Sequence, residues 1–130
     1  MHTLFNDPII GETRVDLIDI AAYAEASGDH NPIHLDAAAA QEAGFPRQIA
    51  HGMLTMGLAH QLILAASRQP LQVIDYQVTF RDPLLVGDGF QVEISQVEAR
   101  DDSCYQIKFF ATSLEGDARI MTGQLLCQVG

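Results

Sequence analysis

The hydrophobic residues of this chain change period partway along, and that change restricts the fold more than any other feature. Up to about residue 67 the pattern is helical. Asp16 can cap a helix over Leu17–Ser27, with Asp19 in its first turn and Gly28 as its C-terminal stop. Leu17, Ile20, Ala21 and Ala24 then fall on one face. A second, short helix starts after Asp36, runs through four alanines and ends at Gly44. A longer helix over 53–67 is apolar on nearly every side (Met53, Leu54, Met56, Leu58, Leu62, Ile63, Leu64), which predicts that the protein itself buries it centrally. Beyond it the period is two. Ile74, Tyr76, Val78 and Phe80 share one strand face; Val92, Ile94 and Gln96 share another, opposite Glu93, Ser95 and Val97. Tyr105, Ile107, Phe109 and Ala111 form a third strand face, and 120–129 a fourth strand. Turn residues separate them at Asp82-Pro83, Gly87-Asp88-Gly89, Asp101-Asp102-Ser103 and Glu115-Gly116-Asp117. A buried helix followed by an antiparallel meander predicts an α+β fold, its sheet wrapped around the helix, with open edges that favour a dimer.

Composition narrows the class. The length of 130 residues predicts one domain over residues 1–130. With 48% hydrophobic and 18% charged residues, the chain is too apolar to be disordered. Seven Lys+Arg against 17 Asp+Glu give a net charge of −10, which argues against nucleic acid as a partner. No apolar run approaches a membrane span, and the start Met1-His2-Thr3-Leu4-Phe5 lacks the basic and apolar stretches of a signal peptide. A cytoplasmic protein without membrane association is expected. Cys104 and Cys127 make no metal spacing and read as reduced core residues in strands.

Reactive residues concentrate in Ser27-Gly28-Asp29-His30-Asn31-Pro32-Ile33-His34-Leu35-Asp36. Gly28 ends a helix and Pro32 does not continue one, so Asp29 and His34 are expected on a loop. A compact turn through Asn31-Pro32 can bring these two together around one water, as an acid–base pair. The bland alternatives are a helix-terminal turn at Asp29 and a core histidine at His34, bonded to a backbone carbonyl. A second block, Ile49-Ala50-His51-Gly52-Met53-Leu54-Thr55-Met56-Gly57, opens the long helix. Its first N–H groups lack internal partners, and Gly52 would let a ligand oxygen approach the backbone. That arrangement suits a thioester carbonyl gaining charge in an enolate-like transition state. Gly52 and Gly57 are equally readable as packing glycines under a sheet.

These two blocks, with Tyr23 and the later Phe80-Arg81-Asp82-Pro83-Leu84-Leu85-Val86-Gly87-Asp88, resemble the MaoC-like family over about residues 12 to 128. More narrowly the chain resembles the single-domain (R)-specific enoyl-CoA hydratases and 3-hydroxyacyl-thioester dehydratases. The resemblance implies a hot-dog fold, in which a long central helix is wrapped by an antiparallel sheet. It implies that Asp29 and His34 are the catalytic pair that adds water to a trans-2-enoyl thioester, with dehydration as the reverse. It also implies that Asn31 supports the loop and that the Gly52 backbone N–H binds the thioester carbonyl. No metal or redox cofactor is implied, since water addition to an activated alkene needs only acid–base and oxyanion help; coenzyme A is part of the substrate. One position departs: some of these hydratases carry serine nine residues after the histidine of His-Gly-Met, where this chain has His60. Gly57, after Leu54-Thr55-Met56, instead resembles catalytic subunits of two-component mycobacterial-type dehydratases. Both a homodimer and a heterodimer with a second hot-dog subunit stay open.

Other residues carry weaker signals. His51 either orients the Gly52 donor or packs at the helix entry; His60 belongs to a dimer contact or to the pocket wall. His30 is expected to face solvent, and Tyr23 to cover an amphipathic helix. The net charge would repel an acidic acyl carrier protein, which favours an acyl-CoA substrate, with Arg47 and Arg68 as candidate phosphate contacts. Two other functions fit the same fold: a hot-dog thioesterase, and a subunit inactive without its partner.

Overall fold

The computed structural model describes residues 4–130; the reading of Met1–Thr3 as part of a leaderless start lies outside the described residues. The elements in chain order are β1 (Ile9–Arg14), α1 (Leu17–Ser27), α2 (Pro32–Leu35), α3 (Ala37–Glu42), α4 (Gly52–Ala66), β2 (Leu71–Phe80), β3 (Gly89–Ala99), β4 (Cys104–Ser113) and β5 (Arg119–Val129). The five strands form one antiparallel sheet in the order β1-β3-β4-β5-β2, and α4 lies against β1, β2 and β3. No helix among the described residues is long and apolar enough to cross a membrane.

The helices stop and start where local chemistry directs. Asp19 accepts a hydrogen bond from the Asp16 N–H (2.8 Å) at the entry to α1. At its exit Gly28 takes φ +79°, and its N–H donates to the Ala24 carbonyl. Only Ile20 and Ala24 of the expected α1 face are buried; Leu17 and Ala21 are exposed. Asp36 caps α3 through the Ala39 N–H.

The core lies between α4 and one face of the sheet. Phe90, Val92 and Ile94 of β3, Ile107, Phe109 and Ala111 of β4, and Met121, Leu125 and Cys127 of β5 meet Ala59 and Ile63 of α4. Each large side chain so buried contributes about 1.5–3 kcal/mol of transfer free energy.

Three features depart from the periodicity. The first half is not wholly helical: 9–14 is the edge strand β1, and a bulge between Ile9 and Gly11 erases the alternation that would have marked it. Bulges also interrupt β2 between Val73 and Asp75, and β3 between Ile94 and Gln96. Each exchanges the two faces of the strand beyond it. Ile74 is therefore exposed while Val73, Tyr76 and Val78 pack on the core; Gln96 is exposed and Val97 turns inward. Finally, α4 is not buried all round. Thr55, Ala59 and Ile63 form its buried stripe, whereas Met53 is 60% exposed, because a single sheet covers one side of a helix.

Candidate active site

The site grows out of the turn that ends α1. The Asp29 N–H donates to Ser27 Oγ (3.1 Å), the Asn31 N–H to Asp29 Oδ1 (3.2 Å), and the Ile33 N–H to Asn31 Oδ1 (3.2 Å). Asn31 thus N-caps the one-turn helix α2, and Pro32 is its first residue, where a missing N–H costs nothing. His34 accordingly stands on this short helix and not on a loop: the proline starts the turn that sequence reading took it to forbid. Asp29 remains on the loop.

His34 is buried at 7% exposure, and its Nδ1 lies 2.7 Å from the Ile49 carbonyl. A carbonyl only accepts, so Nδ1 carries the proton and Nε2 presents a lone pair. The bond of an ordinary core histidine is therefore present, and it is what aims the ring. Nε2 faces Asp29 Oδ2 at 4.0 Å, with the Asp29 side chain half exposed. That gap exceeds a direct hydrogen bond, but one water making two bonds of about 2.8 Å would bridge it.

His51 is the N-cap residue of α4, 2% exposed. Its Nε2–H donates to the Asp29 carbonyl (3.0 Å). Its ring stacks on His34, with centroids 3.8 Å apart and planes 24° from parallel, while Tyr23 leans on it at 4.8 Å. His51 Nδ1 is buried without a hydrogen-bond partner among the described residues. Sequence reading left His51 between positioning and packing and placed Tyr23 as a surface cover; both belong to this cluster.

Gly52 is the first residue of α4, so its N–H is one of the helix's orphan donors. The Thr55 hydroxyl donates to the Gly52 carbonyl (2.7 Å) and fixes this first turn. A cavity of about 310 Å³ lies here, lined among others by His34, Gly52, Thr55, Phe80, Arg81 and Ile120. A Cβ on Gly52 would stand 3.1 Å from the Phe80 ring, so glycine keeps this wall open. Phe80 and Arg81 open the block that carries the family resemblance but were not foreseen as lining residues, and no local signal marks Ile120, since its neighbours in the cavity are remote in sequence.

The block after β2 backs the site. The Ala50 N–H donates to the Leu84 carbonyl, and the Val86 N–H to that of Gln48. Arg47 reaches the Val86 carbonyl (2.9 Å) and the Asp88 carboxylate (2.8 Å). Arg47 is thus committed to joining two loops, and Arg68 follows the end of α4 opposite to Gly52; neither is placed as the phosphate contact expected of it.

Other titratable groups are accounted for. His30 is exposed; one ring nitrogen faces Glu25 Oε1 (3.1 Å) and the other the Gly28 carbonyl (3.3 Å). The Glu25 bond, then the carbonyl, raises its pKa above 6.5. His60 lies beside Tyr76, whose hydroxyl donates to the Met56 carbonyl and whose pKa burial raises. Burial pushes the Cys127 thiol up to about 11. One ligand atom each from Asp29, His34 and His51 lie within 4.8 Å of one another, the one such group among the described residues. The near-parallel stack keeps the in-plane lone pairs of the two imidazoles from converging on a single ion, so the arrangement serves proton transfer better than coordination.

Comparison with known proteins agrees with this fold. The family model described as MaoC like domain matches residues 9–118. The chain is 34% identical over 105 residues to the mitochondrial 3-hydroxyacyl-[acyl-carrier-protein] dehydratase of Arabidopsis thaliana, covering 80% of this chain and 63% of that one. It is 30% identical over 119 residues to the (R)-specific enoyl-CoA hydratase of Aeromonas caviae, covering 89% and 87%. The solved structure of the A. caviae (R)-hydratase involved in PHA biosynthesis superposes with a TM-score of 0.81 at 29% identity, over 92% of both chains. A five-stranded antiparallel sheet on a central helix is the hot-dog fold of these hydro-lyases. The chain belongs to the MaoC-like family of (R)-hydratases and dehydratases.

Proposed function

We propose that this protein catalyses the reversible hydration of trans-2-enoyl thioesters to (R)-3-hydroxyacyl thioesters, on acyl-CoA. The observation that carries the proposal is the 4.0 Å gap between Asp29 Oδ2 and His34 Nε2, beside a cavity that reaches Gly52. The Asp29 carboxylate accepts one hydrogen bond from a water in that gap and orients it. His34 Nε2 takes the water's other proton as its oxygen bonds to the β-carbon. The Gly52 N–H donates to the thioester oxygen, which gains negative charge as the electron pair of the double bond moves toward the α-carbon. The imidazolium then returns the proton to the α-carbon, so the elements of one water are added and His34 is restored. Asn31 holds Asp29 through the backbone. Elimination of water follows the same path backwards.

The named relatives act on different carriers, an acyl carrier protein and coenzyme A. The net charge of −10 supports coenzyme A here, since an acidic carrier protein would be repelled. Crotonyl-CoA is the test substrate. Loss of enoyl-thioester absorbance with (R)-3-hydroxybutyryl-CoA as product and no free thiol supports hydration. Thiol release with the enoyl group intact makes the protein a thioesterase and overturns the proposal.

A further inference from the structure

Three of the seven Lys and Arg side chains on this chain are already paired. Arg14 is bound to Glu115, Arg47 to Asp88 and Arg100 to Glu98. Arg68, Arg81, Lys108 and Arg119 are exposed and have no carboxylate within ion-pair distance among the described residues; Arg68 stands apart, beyond the end of α4. Arg81 and Arg119 stand on adjoining strand ends, and Arg119 and Lys108 line one cavity. Arg81 lines the catalytic cavity at the end of β2. The Arg81 and Asp82 N–H groups donate to the carbonyls of Ile120 and Arg119 (2.9 and 3.0 Å), so Arg119 stands on the neighbouring strand end. Its guanidinium sits 3.9 Å over the Phe110 ring. With Lys108, Ser95 and Thr122 it lines an open cavity of about 480 Å³, on the sheet face away from α4. No carboxylate lines that cavity. Glu93 stands opposite Phe110 across the β3–β4 ladder and Asp82 follows Arg81, yet neither pairs with these cations.

In a chain with ten more acids than bases, such a strip has the chemistry of an anion site. It begins at the cavity proposed to hold the thioester and passes around the end of β2 and β5. We infer that Arg81, Arg119 and Lys108 receive the phosphates of coenzyme A while the acyl end lies near Gly52; this rests on the thioester reading above. Coenzyme A carries a diphosphate and a 3′-phosphate, enough anionic groups for three cations. The phosphopantetheine of a carrier protein offers a single phosphodiester.

The test separates binding from turnover. Calorimetry measures the Kd of coenzyme A, 3′-dephospho-coenzyme A and pantetheine for the wild type, for Arg81→Gln, for the double variant Lys108→Gln/Arg119→Gln, and for Arg100→Gln as control. In parallel, KM is measured for crotonyl-CoA and crotonyl-pantetheine. Loss of charge-assisted bonds is expected to weaken coenzyme A about tenfold or more in the double variant. The effect is smaller for the dephospho form, absent for pantetheine, and absent in the control. Equal wild-type affinity for coenzyme A and pantetheine, or a loss shared by all three ligands, overturns the inference. Tight, phosphate-dependent binding without hydration of crotonyl-CoA would instead refute the reaction and leave the anion site standing.

Discussion

His34 owes its orientation to a single 2.7 Å bond from Nδ1 to the Ile49 carbonyl, which leaves Nε2 with a lone pair able to accept a proton. The pair it forms with Asp29 was legible in the sequence because the two residues are five apart and joined by a turn whose residue types are restrictive. Its setting on α2 was not, because a proline can equally open a helical turn or end one. The place of His51 was also hidden: its bond to the Asp29 carbonyl spans 22 residues and depends on how α1 and α4 meet. His30, lying inside the same motif, should behave differently from its neighbours. Its pKa, read by NMR titration, is expected above 6.5 in the wild type and closer to that value in Glu25→Gln. The sign follows from linkage: the raised pKa contributes stability below pH 6.5 that fades as pH rises through the folded-state value. An unshifted His30 would contradict the paired geometry.

At the scale of elements, the strands came close to prediction and failed at their bulges. β4 keeps Ile107, Phe109 and Ala111 inward as the alternation predicts. Ile74 and Ser95 sit at irregularities that no period-two pattern reveals, so the residues beyond them change face. The shift between Ala111 and Thr112, opposite Met121 and Arg119, has a use: Ile120 and Met121 are both buried, Ile120 lining the cavity beside His34 and Gly52 and Met121 in the core. Close packing between β4 and β5 also sets a limit. A Cβ at Gly123 would lie 2.5 Å from Phe109 Cε1 and 3.0 Å from the Gln77 carbonyl. Gly123→Ala is therefore expected to destabilise the fold by about 1–3 kcal/mol, lowering the urea midpoint. An unchanged midpoint would mean that Phe109 can move freely, contrary to its burial.

For the whole molecule, the sheet leaves α4 half covered and β2 with a free edge. Ile74 on that edge, Phe80 at its end and Met53 on α4 are large apolar groups exposed together with unpaired strand backbone. A helix apolar on nearly every side in sequence but covered on only one by its own chain is accounted for if a second copy covers the rest. Light scattering should give the mass of a dimer for the wild type, and of a monomer or a weakened dimer for Ile74→Glu. A wild type that is monomeric at micromolar concentration would contradict self-association. The central claim concerns the acid–base pair, and kcat on crotonyl-CoA for the wild type, Asp29→Asn and His34→Ala tests it most directly. Each variant is expected to lose roughly 10³-fold or more in kcat, with the far-UV circular dichroism of the wild type. Near-normal hydration by either correctly folded variant would contradict the assignment of Asp29 and His34.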